Sequence, residues 1–171
     1  MHLEAASIDD LPALHALIES AYRGETARAG WSHEADLLGG QRTDLVALEA
    51  MLDDPLQHVL VLRDDELLRA CVVLTDKGDG LAYLGMLTVD PERQASGIGR
   101  MILAAAEDHA AALGAARVEM TVIAQRDELI EWYERRGYVR TGDRRPFPAH
   151  DPRFGFPKRD DLVFLVLQKT L

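Results

Sequence analysis

The chain has 171 residues, of which 47% are hydrophobic and 28% charged, with a formal net charge of -10. A general nucleic-acid-binding protein needs a basic surface, so this acidic balance argues against that class. No apolar run reaches the roughly 18 residues of a membrane-spanning helix, and the N-terminal segment lacks the pattern of a signal peptide. We therefore expect one cytoplasmic domain over residues 1–171, with no nucleic-acid or membrane partner.

Two helices are predicted at the start of the chain. SIDDLPALHALIESAYR (7–23) has capping residues at its beginning, Pro12 in the first turn and apolar residues at helical spacing. A polar segment that contains glycines (23–41) joins it to RTDLVALEAMLDD (42–54), which ends before Pro55. This second segment is also predicted to be a helix.

The hydrophobic period then changes to that of β-strands. QHVLVL (57–62), LLRACVVLTD (67–76) and LAYLGMLTVD (81–90) are short apolar runs separated by turn-like residues, which predicts an antiparallel meander. The single cysteine, Cys71, lies in the second run. We interpret it as a small buried hydrophobe rather than a nucleophile.

A strand–helix–strand half follows the meander. The first element is a helix that runs to about Leu113, with Gly114 as its C-terminal cap. The later elements are a strand, a helix, a short strand and a last strand, at 116–123, 126–136, 137–141 and 161–171. This order predicts one α+β domain.

The segment RQASGIGRMIL (93–103) places two glycines one residue apart at the start of the long helix. The N–H groups and the dipole of a first helical turn favour a phosphate, and glycine lets an anion approach because it has no Cβ atom. The segment is not a nucleotide loop ending in Lys-Ser/Thr, and Ile102 stands where G-x-G-x-x-G needs its third glycine. Taken alone, Gly97 and Gly99 fit a plain turn as well as a phosphate site.

The residues around this loop resemble the signature of the GNAT acyltransferases, the Gcn5-related N-acetyltransferase superfamily. In LGMLTVDPERQASGIGRMIL (84–103), a strand leads through V-x-P into Q/R-x-x-G-x-G/A. LIEWYERRGYVRTGD (129–143) resembles a second family segment, and the likeness extends over about 58–142. It implies a mixed, mostly antiparallel central sheet flanked by helices, acetyl-CoA as co-substrate, and no metal.

The resemblance also implies a set of residues that bind coenzyme A. They are Leu87, Thr88 and Val89 on the strand and Gln94, Ala95, Ser96, Gly97, Ile98, Gly99 and Arg100 in the loop and helix start. The loop amides would hold the pyrophosphate, the strand would pair with the pantetheine arm, and an amide near Leu87 would polarise the thioester carbonyl. Arg126 stands where many relatives have an asparagine that contacts the cofactor. Ala95 replaces a frequent glycine, a change that matters little if its φ is negative.

Two residues are candidates for catalysis. Tyr133 matches the tyrosine that protonates the departing thiolate in many relatives, and an ordinary pKa of about 10 suits an acid for a thiolate of about 8.5. The alternative is that Tyr133 only belongs to an apolar helix face. Glu119 is the candidate base in an otherwise apolar strand, and its alternative is an ion pair with an arginine. A water chain to an exposed carboxylate is a further alternative for the base.

The acceptor side is expected in the first two helices and in the loop before the last strand. Trp31 is a candidate pocket wall in a polar loop, with local packing as its alternative. Glu34 would attract a cationic amine, and Arg145 and His150 would bind a carboxylate. Such a site suits an amino-acid-like or zwitterionic amine.

These residues predict an N-acetyltransferase that transfers an acetyl group from acetyl-CoA to a primary amine of a small molecule or a peptide, by direct attack in a ternary complex. One alternative is a non-catalytic sensor of acyl-CoA with the same fold, and another is a nucleotide-binding module. The sequence does not choose the amine. Dimers are common among relatives, so the resemblance is compatible with a homodimer.

Overall fold

A seven-stranded sheet organises the chain, which a computed structural model describes over residues 2–171. The strands are β1 (His2–Ala5), β2 (Leu38–Gly39), β3 (Gln57–Asp64), β4 (Leu67–Asp76), β5 (Leu81–Val89), β6 (Arg117–Ile123), β7 (Val139–Pro146), β8 (Phe156–Pro157) and β9 (Val163–Thr170). The large sheet has the order β1-β3-β4-β5-β6-β9-β7, and β2 pairs with β8 separately. Within the described residues β5 and β6 form the one parallel pair, so the expected mixed, mostly antiparallel sheet is confirmed.

Residues 2–171 contain five α-helices, four of which pack against the sheet. They are α1 (Leu11–Tyr22), α2 (Gly24–Ala27), α3 (Leu45–Asp53), α4 (Ile98–Ala112) and α5 (Asp127–Glu134). Every helix within residues 2–171 is too short or too polar to cross a lipid bilayer.

The core consists of two main layers because successive strand residues point to opposite faces. In β3, Val59 and Val61 pack with α1 and α3, whereas Leu60 and Leu62 pack with α4 and α5. Both faces of the central strands are therefore covered, which explains their continuous apolar runs. Cys71 is fully buried in the α1 layer, and burial raises the pKa of its thiol to about 12, which confirms its interpretation as a buried hydrophobe.

The helices and strands expected from the periodicity are present, and four short strands and helices accompany them that were not predicted. These are β1, α2, β2 and β8, each of two to four residues, too short to show a period. The short strand predicted at 137–141 is wrong in its bounds, since β7 extends to Pro146. Its continuation is held by pairing with β9, a contact between distant segments that the local sequence does not show.

The sheet opens between β5 and β6, and this opening positions the site. The two strands pair from Leu81 to Tyr83 of β5, and no pair follows within the described residues. On the other side of β5, the register against β4 shifts between Cys71 and Val73. Met86, at this shift, has a φ of 50°. Such a bulge turns a strand and redirects its side chains, and bulges are frequent beside active sites.

Candidate active site

The loop before α4 has the backbone of an anion site. Gly97, which precedes the first residue of α4, has a φ of 92°, and a Cβ atom there would meet nothing within 4 Å. Glycine is thus required at 97 by conformation and not by space. At Gly99 a Cβ atom would lie 3.5 Å from Cζ2 of Trp132, an ordinary contact. The start of this 15-residue helix therefore offers free N–H groups and a positive dipole end to a phosphate.

Ala95 differs from its expectation, because its φ is 62° rather than negative. A residue with a Cβ atom loses roughly 1–2 kcal/mol in the left-handed region. The replacement of glycine at this position is therefore not neutral for the backbone of the loop.

Gln94 connects the loop to the segment after α2. Its Oε1 accepts a hydrogen bond from the N–H of Ser32 at 3.0 Å, and its Nε2 donates to the carbonyl oxygens of Ser32 and Val89 at 3.4 Å each. A Cβ atom on Gly30 would lie 2.5 Å from the same Oε1. Gly30 is therefore needed for this contact, a requirement that the sequence analysis missed.

A cavity of about 470 Å³ lies in front of this loop. It is lined by all of the residues expected to bind coenzyme A except the buried Ile98, namely Leu87, Thr88, Val89, Gln94, Ala95, Ser96, Gly97, Gly99, Arg100 and Arg126. The structure also brings Trp132 and Arg136 of the α5 region to this cavity. The Arg136 guanidinium lies 3.6 Å from the centre of the Trp132 ring, so the cavity has an aromatic and cationic wall that the sequence analysis missed.

A second cavity, of about 220 Å³, lies between the diverging halves of β5 and β6. The two cavities share a wall formed by Tyr22, Leu87, Arg126, Leu129 and Tyr133. A ligand in one cavity and a ligand in the other would therefore meet at the same few side chains.

Tyr133 is at the centre of this shared wall. It is 5% exposed, and its ring packs edge-on against Trp132 and Tyr138, with centroids 5.0 and 5.6 Å away. Burial raises the pKa of Tyr133 well above its ordinary value, and the neighbouring Tyr22 adds to the rise. Its hydroxyl is therefore protonated at neutral pH, but the raised pKa makes it a weaker acid than the ordinary tyrosine of the sequence expectation.

The acetyltransferase (GNAT) family model matches residues 12–138 of this chain. The chain belongs to the GNAT acetyltransferase family. None of the curated proteins matches it significantly in sequence.

Solved GNAT structures share its whole fold. The ribosomal-protein-alanine N-acetyltransferase from Brucella melitensis has a TM-score of 0.74 at 18% identity, with 100% of each chain covered. The yncA protein from Salmonella typhimurium, solved with its cofactor acetyl-CoA, has a TM-score of 0.72 at 18% identity, covering 100% of this chain and 94% of its own. A spermidine N-acetyltransferase chimera from Vibrio cholerae has a TM-score of 0.70 at 17% identity, covering 99% and 96%. Identities this low show the fold and leave the acceptor open.

In this GNAT chain the residues expected to form one acceptor pocket do not lie together. Trp31 lines the larger cavity beside the loop, 6.4 Å from Trp132 between ring centroids, and not the smaller one. Glu34 does line the smaller cavity, where it is buried. Arg145 and His150 are exposed and line neither cavity.

Glu34 cannot act as the expected attractant for a cationic amine because its charge is already compensated. Its carboxylate lies 2.5 Å from Nη1 of Arg23 and 3.2 Å from Nη1 of Arg126. Burial alone would raise the pKa of Glu34, but Arg126, Arg42 and Arg23 outweigh it and lower the pKa. The carboxylate therefore stays ionised inside a group of arginines.

Glu119 makes the ion pair that was its alternative. Its Oε1 accepts a hydrogen bond from Nη2 of Arg145 at 2.6 Å, and neither residue lines either of the two cavities described above. The structure therefore does not bring the expected base, or the expected carboxylate-binding arginine, to the cleft. Within residues 2–171, no group of His, Cys, Asp and Glu is arranged to hold a metal ion.

Tyr22, the last residue of α1, also belongs to the site and was not predicted from the sequence. Its hydroxyl donates a hydrogen bond to the carbonyl oxygen of Leu87 at 2.9 Å. This bond fixes the strand at the bulge where the two cavities meet. The residues are 65 positions apart, and no local pattern predicts their contact.

Proposed function

We propose that this chain is an acetyl-CoA-dependent N-acetyltransferase in which an amine attacks directly in a ternary complex. The observation that carries the proposal is the shared wall between the two cavities. A cosubstrate in the larger cavity and an acceptor in the smaller one would approach each other beside Leu87 and Tyr133. Such an arrangement converts a bimolecular reaction into one between positioned groups, which is a large part of the acceleration that this chemistry needs.

The backbone and the charge of the larger cavity support coenzyme A as its ligand. The N–H groups at Gly97 and the start of α4 would hold the pyrophosphate, and Arg100 and Arg136 add positive charge on the same cavity wall. The backbone of Leu87, Thr88 and Val89 would pair with the pantetheine arm. When bound, acetyl-CoA supplies the acetyl group as a thioester.

Two groups of the chain would act on the reacting atoms. The N–H of Leu87 would stabilise the negative charge that develops on the carbonyl oxygen. The neutral amine forms a C–N bond to the carbonyl carbon as the C–S bond breaks, and the sulfur takes the electron pair. Tyr133 gives its proton to that sulfur and regains one from the nitrogen through solvent. The products are an amide and a free thiol.

A thiol-release assay over polyamines, amino acids, aminoglycosides and peptides tests this function. Tyr133→Phe removes the acid and should lower kcat by about 100-fold or more, because a positioned general acid contributes about that much. Tyr138→Phe is the matched control, since Tyr138 is buried, packs 5.6 Å from the Tyr133 ring and lines neither cavity. The control should keep its kcat within about twofold.

Three results would count against the proposal. An unchanged kcat in Tyr133→Phe would remove Tyr133 as the acid. Tight binding of acetyl-CoA with no turnover of any amine would favour the non-catalytic sensor. Calorimetry that shows ATP or NAD binding more tightly than coenzyme A would favour a nucleotide-binding module.

A further inference from the structure

The smaller cavity has more positive than negative charge. Its lining includes Arg23, Arg42 and Arg126, and Glu34 is its one carboxylate. We call these three arginines the arginine cluster. Their formal charges exceed that of Glu34 by two, so the cavity favours an anion and disfavours a polycation.

Two members of the arginine cluster are already engaged. Arg23 binds Glu34 and donates to the carbonyl oxygen of Phe154 at 3.3 Å, and Arg126 binds Glu34 and the hydroxyl of Ser32. Even so, the Arg23 side chain is only 5% exposed, and its buried Nε has no hydrogen-bond partner within residues 2–171. A buried guanidinium N–H without a partner is costly and is normally satisfied by a ligand or by water.

Arg42 is the member with unused hydrogen-bonding capacity. Its guanidinium makes no hydrogen bond or ion pair within the described part of the chain, and it lies 5.2 Å from the centre of the Tyr22 ring. Its backbone is held in place, because Oε1 of Glu19 accepts hydrogen bonds from the N–H groups of Arg42 and Thr43 at 2.7 and 2.8 Å. A positioned, unpaired arginine is well suited to a carboxylate, which it can bind with two parallel hydrogen bonds.

The rest of the smaller cavity is largely apolar. Its lining includes Leu38, Met86, Met120, Ile123, Phe147 and Phe164. The volume of about 220 Å³ is below the range of about 300–1,000 Å³ that is typical of pockets for drug-sized ligands. The cavity therefore suits one small molecule that has an anionic group and an apolar group.

We propose that the acceptor is a free amino acid with an apolar side chain, whose carboxylate is bound by Arg42 and the rest of the arginine cluster. The amino acid's side chain lies against the apolar lining, and its amine faces the shared wall at Leu87 and Tyr133. The excess positive charge also disfavours the ammonium form of the amine, so more of it is the neutral nucleophile. The nitrogen forms the C–N bond, the C–S bond breaks, and Tyr133 protonates the departing sulfur. The nitrogen loses one proton, which returns to Tyr133 through solvent.

This inference rests on the proposed function, but a binding experiment tests the carboxylate site without turnover. The probes are 3-phenylpropanoate and its neutral amide, titrated by calorimetry into the protein with coenzyme A present. The carboxylate should bind about 10- to 100-fold more tightly, as expected for a charge-assisted hydrogen bond. Arg42→Gln should abolish this preference and Arg42→Lys should restore part of it. Equal affinity for the two probes would overturn the carboxylate site.

Arg135→Gln is the matched control, because the Arg135 side chain is 62% exposed and lies 3.8 Å from Glu131, outside both cavities. It should keep the preference for 3-phenylpropanoate. If it loses that preference as fully as Arg42→Gln does, the effect is one of overall charge and the site at Arg42 is refuted.

Kinetics with leucine and phenylalanine, their amides, spermidine and a dipeptide then test the acceptor. In Arg42→Gln the KM for the amino acids should rise about 10- to 100-fold, with kcat changed by less than about threefold, because Arg42 binds the carboxylate and not the reacting atoms. Turnover of spermidine or the dipeptide but not of the amino acids would overturn this inference and leave the proposed function intact. Binding of acetyl-CoA with no turnover of any amine would overturn both.

Discussion

Replacing Glu34 by glutamine should destabilise the protein more than any surface charge change. The carboxylate lies between Arg23 and Arg126, whose side chains are 5% and 10% exposed, and is itself 11% exposed. Glutamine keeps one acceptor oxygen but leaves the two buried guanidinium groups without a counter-charge. Removing one partner of a buried ion pair lowers the free energy of unfolding by about 3–5 kcal/mol. For Glu34→Gln we expect a loss of about 3 kcal/mol, at the lower end of that range. For a chain of this size that lowers Tm by about 6–12 °C.

The stability that Glu34 contributes depends on pH, because its pKa is lower in the folded state than in the unfolded state. The unfolded state ionises with a pKa of about 4.3. The stability that the ion pairs contribute is therefore fully present above that pH and is lost as the pH falls through the lower pKa of the folded state. The difference between wild type and Glu34→Gln should shrink below about pH 4.3.

Urea denaturation followed by circular dichroism measures both effects. Glu131→Gln is the control, since Glu131 is 63% exposed and 3.8 Å from Arg135, and exposed pairs contribute at most about 1 kcal/mol. A typical surface substitution changes the free energy of unfolding by up to about 0.5 kcal/mol. If Glu34→Gln stays within about that margin of wild type at pH 7, the carboxylate does not compensate the buried arginines and the reasoning is refuted.

Two further predictions concern the loop and α4. Ala95→Gly removes the strain of an alanine with a positive φ, so it should leave the stability unchanged or raise it by about 1 kcal/mol. Gly97→Ala introduces that strain and should lower the stability by about 1–2 kcal/mol. Thermal denaturation measures both changes. Loss of stability in Ala95→Gly would contradict the strain at Ala95. Burial lowers the pKa of His109, and the nearby His58, whose ring centroid is 5.1 Å away, adds to the effect. The free energy of unfolding should therefore fall as the pH drops below about 6.5, the pKa of an unfolded histidine. This fall should be smaller in His109→Gln than in wild type. Equal acid sensitivity in the two proteins would show that His109 is not responsible.

The cofactor side could be predicted from the sequence because its residues are close together in the chain. The end of β5, the loop and the first turn of α4 lie within 87–100, so their relative placement follows from local structure. One local feature escaped the prediction, the positive φ of Ala95. An alanine carries no signal for that conformation, which the neighbouring strand and helix impose.

The acceptor side could not be predicted in the same way because its charged residues are paired across the fold. Glu34 and Arg126 are 92 residues apart, and Glu119 and Arg145 are 26 apart. The sequence does not show which residues pair, so Glu34 was expected to attract an amine, and Glu119 was expected either to act as a base or to form an ion pair with an arginine. The structure shows that ion pairs use both carboxylates.

The sequence by itself determined the family, the alternation of strands and helices, and the loop around Gly97. These depend on short-range spacing and on backbone preferences that each segment has alone. Only the tertiary structure decided where β5 and β6 separate, that Tyr22 and Tyr133 share one wall, and that Arg42 is the member of the arginine cluster with no hydrogen bond or ion pair within the described residues. Sheet register and ion pairing are set by contacts between distant segments, and a linear pattern does not contain that information.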